Sequence, residues 1–102
     1  MRYKIIIEYD GTPFVGWQRQ DNGLSIQECI ETAIESMFQE KPVLFGAGRT
    51  DAGVHATGQV AHFDIEHKEL DTYSIKTGLN HHLKIYPISV LGVTEVDAEF
   101  HS

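Results

Sequence analysis

The apolar residues of this 102-residue chain fall into short segments that follow two different periodicities. Arg2–Glu8 is rich in β-branched residues and ends at the turn signal Asp10-Gly11, so it predicts a first strand. A long polar loop follows over Thr12–Gly23. Ser25 then begins the spacing S-I-Q-E, in which a serine and a glutamate three positions later cap the start of a helix.

The first predicted helix is amphipathic. One stripe repeats at helical spacing and is apolar: Ile26, Ile30, Ala33, Ile34, Met37 and Phe38. Glu28, Glu31 and Glu35 occupy the opposite side, which we interpret as an acidic face exposed to solvent. Lys41-Pro42 is predicted to end the helix, because proline disfavours helical backbone in the residue before it.

The remaining segments predict three more strands and a second helix. Val43–Ala47 and Gly58–Ile65 predict the second and third strands, and Ile88–Val96 predicts the last. Between them, Asp71 or Thr72 is a candidate helix cap, followed by apolar residues at four-residue spacing, namely Ile75, Leu79 and Leu83. The order β-α-β-β-α-β predicts an α+β, ferredoxin-like split β-α-β fold, in which an antiparallel sheet carries both helices on one face and leaves the other face bare.

Composition is consistent with one cytoplasmic domain. The apolar fraction of 41% supports a core without disulfides, and a single cysteine, Cys29, cannot form an internal bridge and is predicted to pack in the helix. No run is long or apolar enough for a membrane span, and none resembles a signal peptide. We therefore expect a soluble, cytoplasmic protein with no membrane contact.

The formal net charge of −7 argues at first against a nucleic-acid partner. The acidic residues, however, are concentrated in three segments, residues 21–40, 64–71 and 95–102. The remainder of the chain is weakly positive. Charge therefore does not exclude RNA, although it gives no positive support for it.

The loop G-R-T-D-A-G-V-H-A, from Gly48 to Ala56, has two interpretations. In the structural one, Asp51 bonds its own backbone in a turn and pairs with Arg49 on the surface. In the functional one, Asp51 is a nucleophile or a general base. An aspartate with a pKa of about 3.9 is ionised at pH 7 without help, so Arg49 is better explained by orientation or by contact with a phosphate or base, and Thr50 offers a hydroxyl to the carboxylate.

The same nine residues closely resemble the signature of the TruA family of tRNA pseudouridine synthases. Two more blocks agree with that family: Y-D-G-T with Phe14 and G-W-Q-R-Q over residues 9–20, and G-Q-V-A-H-F over residues 58–63. The resemblance implies a cofactor-free isomerisation of uridine to pseudouridine in the anticodon arm of tRNA. It gives Asp51 the nucleophilic role, with attack on either the sugar or the base, and gives Arg49 a part in holding the flipped nucleotide.

The resemblance also implies that this chain is the N-terminal domain of a longer enzyme. Phe100-His101-Ser102 looks like the opening of a Phe-His-Ala-Arg motif, and family enzymes are roughly twice as long and homodimeric. Residues 1–102 would then be the domain that carries the catalytic aspartate, inactive without the second domain. The stretch from Leu79 to Ile88 departs from the family pattern by looking one residue longer, which affects a local loop only.

We predict that six residues contact RNA beside the catalytic Asp51: Arg19, Arg49, Thr50, His55, Phe100 and His101. His55 either orders the loop or transfers a proton. Trp17 either stacks on a base or packs its loop onto the core. The six histidines show no zinc spacing, so no metal is expected.

The sequence is also compatible with two other classes of function. A split β-α-β domain with a bare sheet face is also compatible with a non-catalytic RNA-binding or dimerisation module that keeps the signature only for its shape. For the isolated chain, assembly through the sheet without any nucleic acid is a further alternative. The glycine-rich aromatic motifs of RNA-recognition strands are absent from the sequence, which disfavours the first of these two.

Overall fold

The computed structural model describes residues 1–48 and 52–102. Its elements, in chain order, are β1 (Arg2–Tyr9), α1 (Ile26–Phe38), β2 (Phe45–Gly46), β3 (Ala56–Asp64), α2 (Thr72–Leu83) and β4 (Ile88–Val96). The strands form one antiparallel sheet in the order β2-β3-β1-β4. The predicted α+β, ferredoxin-like order and sheet are therefore confirmed.

Alternation along β1 defines the two faces of the sheet. Tyr3, Ile5 and Ile7 are fully buried and belong to the same core cluster as the apolar residues of both helices, such as Ile30 and Leu79. The intervening residues of β1 point to the opposite, helix-free face. The described helices are too short and too polar for either to cross a bilayer.

The helix ends follow local side-chain chemistry. The Ser25 hydroxyl oxygen accepts a hydrogen bond from the Glu28 N–H at 3.1 Å, which confirms the predicted N-cap. The end of α1 lies earlier than predicted, because Gln39 adopts a left-handed conformation (φ 54°) and its N–H bonds the Glu35 carbonyl. Asp71 caps α2 by accepting from the Ser74 N–H at 2.9 Å.

Two sequence predictions about the middle of the chain are wrong for one shared reason. Glu31, predicted to lie on an exposed acidic face, is only 5% exposed. Its carboxylate accepts the Leu44 N–H at 2.9 Å, so this backbone donor is used by a helix side chain instead of a strand. The second strand, predicted over Val43–Ala47, is shorter than predicted and comprises Phe45 and Gly46.

The helix-free face is not bare, which corrects a third prediction. The side chain of Ser102 lies 2.9 Å from the Nδ1 atom of His62 on that face, and Lys4 lies over the Phe100 ring. Arg2 holds the same segment by donating to the Phe100 carbonyl while it pairs with Asp64 at 2.7 Å. The segment after β4 therefore folds back over one end of this face.

Candidate active site

The loop with the family signature connects β2 to β3 at the edge of the sheet. Arg49, Thr50 and Asp51, the predicted chemical centre of this loop, lie outside the described residues. The two ends of the loop are described. The Ala47 N–H donates to the Val60 carbonyl at 2.8 Å, and Ala56 pairs with Tyr9. Both ends are therefore fixed to strands of the sheet.

A turn at Asp10-Gly11 holds the C-terminal end of the signature loop. The Gly11 N–H donates to the Nδ1 atom of His55 at 2.9 Å. A Cβ atom on Gly11 would lie 1.9 Å from the Val54 carbonyl oxygen, so only glycine allows this approach of two backbones. The block Y-D-G-T is thus in contact with Val54 and His55 of the signature loop, although the two are separate in sequence.

Two neighbouring groups lie within hydrogen-bond distance of the same ring nitrogen of His55, and one of them is a donor and the other an acceptor. Its Nδ1 atom accepts from Gly11 when the imidazole is neutral, and it lies 3.1 Å from a carboxylate oxygen of Asp10, to which a protonated ring would donate. Hydrogen bonds from Thr12 lower the pKa of Asp10, and His55 lowers it further. The His55 side chain is 61% exposed.

A solvent-open depression of ≈ 440 Å³ lies next to His55. Its walls come from the end of β1, the start of β3 and the segment around Pro87. Glu8 and Asp10 contribute carboxylates, and the described residues that line it include no Lys or Arg. Its charge therefore suits a neutral group better than a phosphate.

Trp17 packs against the N-terminal side of the signature loop. It is 3% exposed, its ring centroid lies 6.2 Å from that of Tyr9, and a Cβ on Gly46 would lie 2.8 Å from its ring. The interpretation of Trp17 as a packing residue is confirmed, since a ring buried in this way offers no face to a nucleic-acid base.

Arg19 belongs to the loop before α1, and its side chain pairs with two acidic residues of that helix. Its guanidinium lies 2.9 Å from a Glu31 oxygen and 3.5 Å from a Glu28 oxygen, and the hydrogen bond to Glu31 is the main cause that raises the pKa of Arg19. The structure thus assigns it protein partners, and its contact with RNA stays a prediction. No feature of the helical pattern distinguished Glu31 from Glu28 and Glu35.

Phe100 and His101 lie in a different region, around His62. Their rings meet the His62 ring edge-on, with centroids 5.9 and 6.2 Å away, and Phe45 stacks on it at 5.2 Å. Burial, followed by the charge of Arg2, lowers the pKa of His62. Because His62 pairs with Lys4 and Ala56 with Tyr9, this cluster is separated from the His55 end by about 17 Å along the strands.

Comparison with known proteins decides the family. A family model described as "tRNA pseudouridine synthase" matches residues 5–101. The chain belongs to this family. The predicted resemblance is therefore confirmed, and the three motif blocks that carried it all lie within the matched residues.

Relatives in the tRNA pseudouridine synthase family extend well beyond this chain. A protein of Anaplasma phagocytophilum is 52% identical over 104 residues, and one of Wolbachia pipientis is 55% identical over 103 residues. Each alignment covers 100% of this chain and 42% of the relative. A relative from Paramagnetospirillum magneticum is 50% identical over 99% of this chain and 39% of its own length. All three are described as tRNA pseudouridine synthase A.

Proposed function

We propose that the full-length protein converts uridines in the anticodon arm of tRNA into pseudouridine, with Asp51 as its nucleophile. The observation that carries this proposal is the match of residues 5–101 to the tRNA pseudouridine synthase family, including the G-R-T-D-A-G-V-H signature. Because this chain spans 42% of the relatives above at most, we further propose that the 102 residues alone are inactive.

The chemistry requires one carboxylate and no cofactor. Asp51 attacks the sugar or the base, the bond between the ring nitrogen and the sugar carbon breaks, and the base turns. A ring carbon then bonds to the sugar carbon and loses its proton, while the released nitrogen gains one. The carboxylate of Asp51 is regenerated at the end of the reaction. Substrate and product have the same atoms, so the reaction needs no oxidant or group donor.

Flipping the nucleotide out of its stack costs a few kcal/mol, which contacts to the extruded nucleotide must offset. We assign this role to Arg49, with Thr50 and His55 as further contacts beside it. The acidic depression next to His55 supports a neutral uracil on that side of the loop, because its carboxylates would repel a phosphate. Phe100 and His101 contact RNA, in this proposal, from the separate cluster around His62.

The proposed partners are a tRNA anticodon stem-loop and a second copy of the full-length protein. A cytoplasmic location belongs to the same proposal, since tRNA is the substrate.

Replacing Asp51 with Asn in the full-length protein tests the proposal. The amide has nearly the volume of the carboxylate but is a very poor nucleophile, so the single-turnover rate should fall by about a thousandfold or more. Melting temperature and tRNA affinity should change little. Asp21→Asn is the matched control, because Asp21 is an exposed acid outside the signature loop. Pseudouridine formed per tRNA at saturating enzyme is the measurement, and a rate for Asp51→Asn near that of the control would exclude Asp51 as the nucleophile.

A further inference from the structure

The segment leading from α1 to the signature loop is held by the loop over residues 13–24. The carbonyls of Gly16 and Trp17 accept the backbone N–H groups of Ile26 and Gln27 at 3.2 and 3.0 Å. These donors belong to the first turn of α1 and have no partner within the helix. The Trp17 ring then covers Gly46, the last residue of β2. The 13–24 loop thus packs against β2, the strand from which the signature loop departs.

Glu31 connects the 13–24 loop to Leu44, the residue directly before β2. One oxygen of its carboxylate accepts from Arg19 at 2.9 Å, and the other accepts from the Leu44 N–H at 2.9 Å and from the Gln27 side-chain amide at 3.0 Å. Gln27 also accepts the Arg19 backbone N–H at 3.0 Å. A buried carboxylate is stable only when it is paired and hydrogen-bonded, and this one has both kinds of partner.

We infer that Glu31 is a positioning residue for the proposed reaction, because its carboxylate joins Arg19 of the 13–24 loop to the Leu44 amide and thereby fixes the strand that carries the signature loop. The inference rests on the proposed function. It adds a residue outside the motif blocks, on a helix, four positions before the exposed Glu35.

The same geometry indicates that Arg19 holds the 13–24 loop against α1 and does not contact a phosphate. Two acids lie within salt-bridge distance of its guanidinium, and the Glu31 carboxylate is almost completely buried. The local charge of this group of three is negative. A phosphate would have to compete with carboxylates that are already in place, and one of them cannot move away without leaving the Leu44 N–H unpaired.

Replacing Glu31 with Gln in the full-length protein distinguishes the hydrogen bond to Arg19 from the hydrogen bond to Leu44. The glutamine carbonyl must face the donors of Leu44 and Gln27, so its amide NH2 group faces Arg19, and donor meets donor. The variant therefore keeps the bond to Leu44 and loses the bond to Arg19. Arg19→Gln removes the other partner, and the double variant tests whether both act through one link. Glu35→Gln is the matched control, with the same charge change on the same helix.

We expect Glu31→Gln and Arg19→Gln each to lower the single-turnover rate at saturating tRNA by about tenfold. The rate of the double variant should lie within about twofold of the rate of either single variant. The tRNA dissociation constant should stay within about twofold of wild type, with the same salt dependence. Glu35→Gln should match wild type in all measurements. Assays are run well below each variant's melting temperature, so that loss of folded protein cannot explain a slower rate.

Two kinetic outcomes would overturn the inference. If Arg19→Gln weakens tRNA binding and reduces the slope of log Kd against log salt by nearly one while the saturated rate is unchanged, Arg19 is a phosphate contact. If Glu31→Gln lowers the melting temperature but not the saturated rate, Glu31 is merely structural.

An activity-independent measurement separates this inference from the proposed function. Amide hydrogen exchange over residues 43–48 should be about tenfold faster in Glu31→Ala, which removes the acceptor of the Leu44 N–H, than in wild type, with Glu35→Ala unchanged. If the wild-type protein forms no pseudouridine, the proposed function fails and Glu31 positions nothing catalytic. If exchange over residues 43–48 is unaltered by Glu31→Ala, Glu31 does not hold the strand, whatever the activity.

Discussion

Replacing Gly11 with Ala is expected to separate the signature loop from the end of β1. The added Cβ would lie 1.9 Å from the Val54 carbonyl oxygen, 2.6 Å from the carbonyl carbon and 2.9 Å from the Val54 nitrogen. These are backbone atoms, so no rotation of a side chain relieves the overlap. The two segments must move apart by about 1.5 Å to reach ordinary contact distances of roughly 3.5 Å.

The magnitude follows from two losses. Overpacking of this kind costs about 1 to 3 kcal/mol. Separation also breaks the bond from the Gly11 N–H to His55, which is worth about 1 kcal/mol net. A total of about 2 to 4 kcal/mol corresponds to a decrease in melting temperature of about 10 to 25 °C for a chain of this size.

Thermal unfolding of this chain by circular dichroism measures the effect, with Gly58→Ala as the matched control. A Cβ on Gly58 in β3 meets nothing within 4 Å, so the control should melt at or slightly above the wild-type temperature. In the full-length protein, Gly11→Ala should also slow pseudouridine formation more than it weakens tRNA binding. A melting temperature for Gly11→Ala within about 3 °C of the control, or about 0.5 kcal/mol, would refute the steric argument.

Two further predictions concern buried groups. Burial lowers the pKa of His62, so below about pH 6.5 the unfolded chain binds a proton that the folded chain does not, and stability should decrease as the pH falls from 7.5 to 5.5. His62→Phe should lose less stability over that interval, whereas equal pH slopes in thermal unfolding would contradict the assignment. Burial also raises the pKa of Cys29 to about 11, so iodoacetamide at pH 8 should alkylate the folded protein at least about a hundredfold more slowly than the chain unfolded in urea. Comparable rates in the two states, measured by mass spectrometry, would show that the thiol is accessible.

The sequence by itself was sufficient for the order of elements and for the family. Strand and helix periodicities are local, and so are the caps at Ser25 and Asp71, because each depends on residues a few positions apart. The signature loop was recognisable for a similar reason, since its residue types and spacing are contiguous. The position of Trp17 in the core was also predictable, because a large ring in a polar loop more often packs than protrudes.

Only the tertiary structure decided which residues support that loop. Helical periodicity places Glu31 on the same side as Glu28 and Glu35, and nothing in it reports that the 13–24 loop and Leu44 cover this one position. The approach of Gly11 to Val54 likewise joins segments more than forty residues apart. Local patterns record how a residue's own element meets solvent on average. A hydrogen bond or a close backbone approach between distant segments depends on how the elements pack, and that exists only once the sheet and helices have assembled.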